Sequence, residues 1–247
     1  MKVPEVTLAF WITKILATTL GETAGDAVSM SMGLGYLVGT AIFAAAFLGT
    51  VSVQIAATSF RPVVYWATIV ATTTVGTTLA DFADRSLGVG YAGGTLVLLA
   101  ALASSLLLWW SMLGSVAIET VRSPRAELFY WTTIMFSQTL GTALGDWTAD
   151  SAGLGYAGAA LVFGAALAAM AAAYLWTTVS RTALFWAAFV LTRPLGAVVG
   201  DFLDKPIASG GLEFIRPLAS IVLAIAIVAL IVAIPQRPGG HPRSATT

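Results

Sequence analysis

Residues 131–156 read WTTIMFSQTLGTALGDWTADSAGLGY, and three other segments repeat their layout. Each opens on a tryptophan, has a glycine ten residues on and an aspartate five after that: Trp11, Gly21, Asp26; Trp66, Gly76, Asp81; Trp131, Gly141, Asp146; Trp186, Gly196, Asp201. The tryptophans lie 55, 65 and 55 residues apart, the pattern of a unit that duplicated once and whose product duplicated again. Repetition at a fixed register decides the architecture before any local signal does.

The chain is 58% hydrophobic and 10% charged, with a mean hydropathy of +0.89. A soluble domain averages about 45–50% apolar and about 25% charged, so the composition is that of an integral membrane protein. Crossing a ~30 Å hydrocarbon core takes about 20 mostly apolar residues. Eight stretches qualify, near 5–31, 35–59, 62–85, 89–120, 126–150, 154–179, 182–204 and 212–234. The expected fold is an all-α membrane protein of eight transmembrane helices from four parallel two-helix repeats. Residues 1–121 hold repeats 1 and 2, residues 122–236 repeats 3 and 4, and 237–247 form a disordered tail rich in Pro and Gly. Lys2 ahead of an apolar run imitates a signal peptide, but that run is the first repeat and is read as retained. No soluble domain is expected. Without cysteine, and with His241 alone in the tail, thiolate and imidazole chemistry is missing.

A two-helix repeat returns to the side it left, so the four copies share one orientation about an axis along the membrane normal. Lys2, Arg61, Arg122, Arg125, Arg181, Arg237 and Arg243 fall on the side where repeats begin; Arg85, Lys205 and Arg216 fall on the other. The positive-inside rule then places both termini in the cytoplasm. The four repeat tryptophans, with Trp109, Trp110 and Trp176, are expected to form an interfacial belt on that side.

Two stripes run along each odd helix. Small residues four apart (Gly21 and Gly25, Gly76 and Ala80, Gly141 and Gly145, Gly196 and Gly200) let backbones approach closely in lipid. A polar stripe lies seven, eleven and fifteen residues after the tryptophan: Thr18, Glu22, Asp26; Thr73, Thr77, Asp81; Gln138, Thr142, Asp146; Arg193, Ala197, Asp201. Residues four apart share a helix face. At 1.5 Å per residue the aspartates stand ~22 Å and Glu22 ~16 Å from the tryptophan level. The even helices carry uncharged stretches and can face lipid. An inner ring of odd helices and an outer ring of even ones follows, with the polar stripes converging on the axis.

A charge at the centre of a membrane helix costs roughly 2.5–3.5 kcal/mol on insertion scales, so buried charges mark a pathway or a partner. Glu22, Asp26, Asp81, Asp146 and Asp201 outnumber the inner cations Lys14 and Arg193. That sign favours a cation, and oxygen ligands suit a hard metal such as Mg, Ca or Mn. The symmetry is broken at three levels: Lys14 stands where the other copies have Ile69, Ile134 and Phe189, and Glu22 and Arg193 are also unmatched. Glu22 and Arg193 are placed to pair across the axis. Asp84, Asp150 and Asp204 form a second acidic set near the surface, read as solvated ion pairs with Arg85 and Lys205 or as an acidic vestibule. Gly33-Leu34-Gly35-Tyr36, Gly88-Val89-Gly90-Tyr91 and Gly153-Leu154-Gly155-Tyr156 read as tight turns; the fourth copy has Lys205, Pro206 and Gly210-Gly211 instead.

The opening KVPEVTLAFWITKILATTLGETAGD, with its reiterated Trp/Gly/Asp pattern, resembles an uncharacterised family of bacterial four-repeat integral membrane proteins labelled membrane-anchored. That resemblance covers essentially the whole chain and implies location and repeat structure. Glu22-Thr23-Ala24-Gly25-Asp26 is similar to the E-x-G-D-[KR]-[ST] signature of proton-driven calcium and manganese exchangers, one residue longer and with Ala27 in place of the basic residue.

The leading expectation is a secondary transporter that exports a divalent cation, manganese or a similar hard metal, in exchange for protons. Glu22, Asp26, Asp81, Asp146 and Asp201 would bind the ion. Thr18, Thr73, Thr77, Gln138 and Thr142 would add neutral oxygens, and Lys14 and Arg193 would serve as internal counter-ions. The alternatives are a transporter or channel for an organic cation or other small solute, and a non-transporting scaffold. An enzyme is disfavoured, because no histidine, cysteine or Ser/base constellation is available. Lipid, the metal and protons are the expected partners. A nucleic-acid partner and a cofactor are not expected, and a homo-oligomer is compatible with the pattern.

Overall fold

The structure is a computed structural model that describes residues 1–239; His241, Arg243 and most of the expected tail lie outside the described residues. Eight long helices follow one another: α1 Leu8–Asp26, α2 Gly35–Ala56, α3 Pro62–Asp81, α4 Tyr91–Leu113, α5 Pro124–Asp146, α6 Gly155–Trp176, α7 Arg181–Asp204 and α8 Arg216–Ala233. Their starts are written in local chemistry. The hydroxyls of Thr7, Ser123 and Ser180 accept the amides of Phe10, Ala126 and Ala183, and proline occupies the first turn of α3, α5 and α8. Past Asp26, Asp81 and Asp146 the chain continues as one wide π-helical turn, Ala27–Ser31, Phe82–Ser86 and Trp147–Ser151. Paired glycines with φ between 65° and 78° then reverse it, at Gly33 and Gly35, Gly88 and Gly90, Gly153 and Gly155. The fourth copy lacks the wide turn and enters a short 3-10 helix, Ile207–Ser209, after Lys205. The fourth expected span is shortened: Gly114, left-handed at φ 74°, ends α4 at Leu113.

The packing is cyclic. Helix α1 lies against α3 and α7, and α5 lies against the same two. Each even helix packs on the odd helix of the next repeat: α2 on α3, α4 on α5, α6 on α7 and α8 on α1. The most apolar windows of α2, α4, α6 and α8 are 6–17% buried, against 72% for α3 and 67% for α7. Six of the eight helices are long and apolar enough to cross a membrane. The other two, α1 and α5, carry three charged residues each: Lys14, Glu22 and Asp26; Arg125, Glu127 and Asp146.

The two stripes of each odd helix interlock with those of its neighbours. The glycine ten residues after each tryptophan faces the residue seven after the next one: Gly21 faces Thr73, Gly76 faces Gln138, Gly141 faces Arg193 and Gly196 faces Thr18. One turn on, a Cβ at Gly25 would lie 3.0 Å from Thr77, one at Gly145 would lie 3.2 Å from Ala197 Cβ, and one at Gly200 would lie 2.7 Å from Glu22 Cβ. Small residues therefore set the helix spacing at which the polar stripe fits.

At the end where the repeats begin, the tryptophans depart from expectation. Trp66, Trp109, Trp131 and Trp186 are buried rather than spread as a belt; Trp110 and Trp176 are exposed. The four buried rings pack with Phe10, Tyr65, Tyr130 and Phe185 in tilted and edge-to-face pairs at centroid distances of 5.2–6.3 Å, and the Tyr65 and Tyr130 hydroxyls meet at 2.6 Å. The reason is that repeat symmetry gathers them at one end of the bundle, where aromatic rings pack on one another. Residues 3–5 and 237–239 close over this plug. Pro4 bridges Pro238, Glu5 N donates to Arg237 O, and Gly239 N donates to Val3 O. Residues 237–239 are thus pinned to the amino-terminal segment. Lys2 is also buried, 2.5 Å from Glu127 and donating to the carbonyls of Gln54 and Ile55.

The glycine contacts are testable by addition of one methyl. Gly141→Ala drives a Cβ into Arg193 and Pro194 and is expected to destabilise by about 1–3 kcal/mol. Gly49→Ala, in open space on α2, is expected to be neutral or stabilising by up to about 1 kcal/mol. Thermal unfolding of the two purified variants checks this, and equal behaviour would rule out the close approach.

Candidate functional site

One guanidinium joins all four odd helices. Arg193 on α7 is fully buried, and its Nη2 donates to Glu22 Oε2 on α1 at 2.9 Å, to Thr77 Oγ1 on α3 at 2.5 Å, and to Thr142 Oγ1 on α5. Thr77 also donates to Glu22 Oε2 at 3.2 Å. Arg193 starts one turn below this level and extends up into it; the equivalent residue on its own helix, Ala197, is small enough to leave the space. The pairing expected of Glu22 and Arg193 is therefore present, and it recruits two stripe threonines as well.

Lys14 on α1 is buried on the tryptophan side of this pair. Its Nζ lies 3.2 Å from Thr192 Oγ1 and 4.0 Å from the centre of the Phe189 ring. The ring that replaces isoleucine at this level gives the ammonium a cation–π contact. Thr18, Thr73 and Gln138, the stripe residues at the intervening level, are wholly buried.

Above Glu22 the four aspartates are 1–3% exposed and divide into two pairs, each bridged by one basic residue. Lys205 Nζ lies 2.5 Å from Asp26 and 3.0 Å from Asp201. Arg85 lies 2.7 Å from Asp81 and 3.5 Å from Asp146. Both cations sit four residues after their own aspartate, on the same helical face, and each also reaches the following repeat in the cycle. The two clusters are thus related by the duplication of the halves, repeat 2 with 3 matching repeat 4 with 1. Arg216 adds a contact to Asp204 at 3.3 Å and a longer one to Asp26 at 3.8 Å.

This differs from solvated pairing of Arg85 with Asp84 and of Lys205 with Asp204 near the surface. Buried carboxylates without water attract a cation far more strongly than half-exposed ones do. Asp204 is itself buried, Asp84 half-buried, and Asp150 exposed. Burial alone would lower the Lys205 ammonium, yet Asp201, Asp26 and Asp204 hold it above the ordinary lysine range, so it stays charged. The charge balance shifts too. Six carboxylates (Glu22, Asp26, Asp81, Asp146, Asp201, Asp204) face five cations (Lys14, Arg85, Arg193, Lys205, Arg216), a smaller acidic excess than the inner helices alone suggest. Asp81 with Arg85 and Asp201 with Lys205 show the i, i+4 spacing in sequence, which was the available signal for these bridges.

Three carboxylate groupings bring one oxygen from each residue within 4.8 Å of one another: Glu22, Asp26 and Asp81; Glu22, Asp146 and Asp201; Asp26, Asp201 and Asp204. All five residues expected to bind an ion fall in them. Asp26 Oδ1 and Asp146 Oδ1 are buried without a hydrogen-bond partner. Three side chains of this array reach solvent, Arg85 and Arg216 at 33% and 21% exposed and Lys205 at 10%. Beside Arg216 a cleft of about 360 Å³ opens, lined by Ser31, Asp204, Pro206 and Glu213 to Pro217.

Removing one partner of a buried ion pair leaves the other charge uncompensated, at a cost of about 3–5 kcal/mol. Arg193→Met is expected to destabilise by that order, and Glu22→Gln combined with it to recover most of the loss. Denaturant unfolding of the single and double variants decides; a double variant no better than Arg193→Met would mean that Glu22 is not the partner that matters.

No curated protein and no solved structure matches the chain. A family model does, four times over, at residues 9–59, 64–113, 129–180 and 184–234, and each match takes in one odd and one even helix. The chain belongs to the family described as Repeat of Unknown Function (DUF347), with four copies of the repeat.

Proposed function

We propose that this protein is a secondary transporter for a divalent cation, manganese or another hard metal, which it exports in exchange for protons. In this reading all eight helices cross the bacterial inner membrane with both termini cytoplasmic, the odd helices forming an inner ring and the even helices an outer one. Lys14, Glu22 and Asp26 of α1 and Glu127 and Asp146 of α5 are then carried inside the bundle, away from lipid, while Arg125 stands exposed at the start of α5. The observation that carries the proposal is the pair of carboxylate groupings that share Glu22, each containing an aspartate with an unanswered buried oxygen. A hard divalent cation suits such all-oxygen ligands, with Thr77 and Thr142 as neutral neighbours.

Lys205 and Arg85 give the proposal a working part. Each holds a pair of aspartates as a bound ion would, and each is tethered at the mouth of the bundle. An arriving metal displaces the tethered cation toward solvent, and its departure lets the cation fall back or protons take its place. The aromatic plug closes the opposite end, so the arrangement is that of a route shut on the side of the termini. Access from the other side runs past Arg85 and past the cleft at Arg216.

For an organic cation, aromatic rings lining the route would be the favouring sign, but here the rings pack on one another. A scaffold would tolerate neutral replacements among the buried carboxylates. Metal content of cells expressing the protein separates these readings. Asp81→Asn and Asp146→Asn are expected to abolish metal export at normal protein levels in the membrane, whereas Gly49→Ala retains it. Export unchanged in both aspartate variants would remove these residues from the mechanism, and resistance to cationic drugs without any effect on metals would favour the organic cation.

A further inference from the structure

Between the aromatic plug and the Glu22–Arg193 pair lies a layer rich in donors with nothing to donate to. Arg193 spends Nη2 on Glu22, Thr77 and Thr142, but its Nε and Nη1 have no partner. Thr73 Oγ1 and both amide atoms of Gln138 are likewise unpartnered, on residues that are wholly buried. Lys14 points its ammonium at the same level, since it reaches Thr192, the neighbour of Arg193 in the chain. Among the described residues no carboxylate lies within ion-pair distance of Lys14. Thr18 closes the remaining side, its hydroxyl directed to the carbonyls of Lys14, Ile15 and Thr192.

Buried polar groups in native proteins are almost always answered, by protein, water or an ion. Water can take up the unpaired N–H and O–H groups, but with Lys14 protonated it leaves a charge uncompensated: Lys14 and Arg193 are then two cations, and Glu22 answers only one. Burying a charge without a counter-charge is more costly than burying a dipole. We infer that this layer binds one small monovalent anion of the halide class, held by Lys14 Nζ, the free guanidinium nitrogens of Arg193, the Gln138 amide and the Thr73 hydroxyl. A larger oxyanion is disfavoured by the packing. A Cβ at Gly76 would already stand 3.0 Å from the Gln138 backbone, the Glu22 carboxylate stands above, and the aromatic plug closes the layer below.

The site is separate from the aspartate clusters proposed to bind the metal and is read without any transport. The full chain in lipid nanodiscs, held at constant ionic strength, is titrated from gluconate into bromide while thermal unfolding is followed. A saturable rise in unfolding temperature is expected, and bromide-soaked crystals should give an anomalous peak between Lys14, Gln138 and Arg193. Gln138→Leu removes one donor to a charge and should raise the half-saturating bromide concentration by about tenfold or more. Thr73→Val does the same from another helix and decides the matter if the first variant does not fold. Identical unfolding in bromide and gluconate, a layer filled by ordered water only, or bromide affinity unchanged in a folded variant would overturn the inference.

Discussion

A buried guanidinium has to be answered, and in this protein the answer comes from all four repeats at once. Arg193 meets Glu22, Thr77 and Thr142 at a level where the fourth copy supplies only Ala197. Exact four-fold repetition could not produce that arrangement: four arginines would repel, and four glutamates would too. The three departures from symmetry, Lys14, Glu22 and Arg193, lie at successive levels and convert a repetitive bundle into one with a defined axis and charge order. In a medium that solvates no charge, such pairing decides which helix neighbours which, as a polar residue does in a coiled-coil seam.

The glycine stripe makes the pairing reachable. Each odd helix offers small residues to the polar stripe of its neighbour, so close approach and polar burial are one requirement. Outside this set the even helices are greasy and little buried, and each leans on the odd helix of the next repeat rather than its own. That domino order ties the repeats together and explains why a single two-helix unit would leave its polar stripe bare to lipid.

Much of this was legible in sequence, for a physical reason. Charges and glycines at fixed intervals are rare in membrane helices unless something holds them, so Trp131 to Asp146 could be matched to three copies and the converging stripes deduced. The fate of the tryptophans was not legible. Trp66 and Trp131 have the amphipathic character of interface residues, and only three-dimensional gathering shows that their partners are Phe10, Tyr65 and Tyr130. Arg85 and Lys205 looked like loop residues because their neighbours Asp84 and Asp204 offered a simpler pairing. Their backward reach depends on the helical continuation past Asp81 and Asp201, and the i, i+4 spacing was the one sequence sign of it.

The chain has no native cysteine, which allows the facing of the stripes to be measured directly. Gly145 and Ala197 face one another: a Cβ added at Gly145 would lie 3.2 Å from Ala197 Cβ, close to the roughly 3.5–4.5 Å typical of a disulfide. In membranes treated with a mild oxidant, the double variant Gly145→Cys with Ala197→Cys should cross-link nearly completely. Gly164→Cys with Ala197→Cys should not, because Gly164 has open space around it. A cross-link absent from the first pair, or formed equally by both, would show that the stripes of α5 and α7 do not face each other, and the shared polar axis would be lost with them.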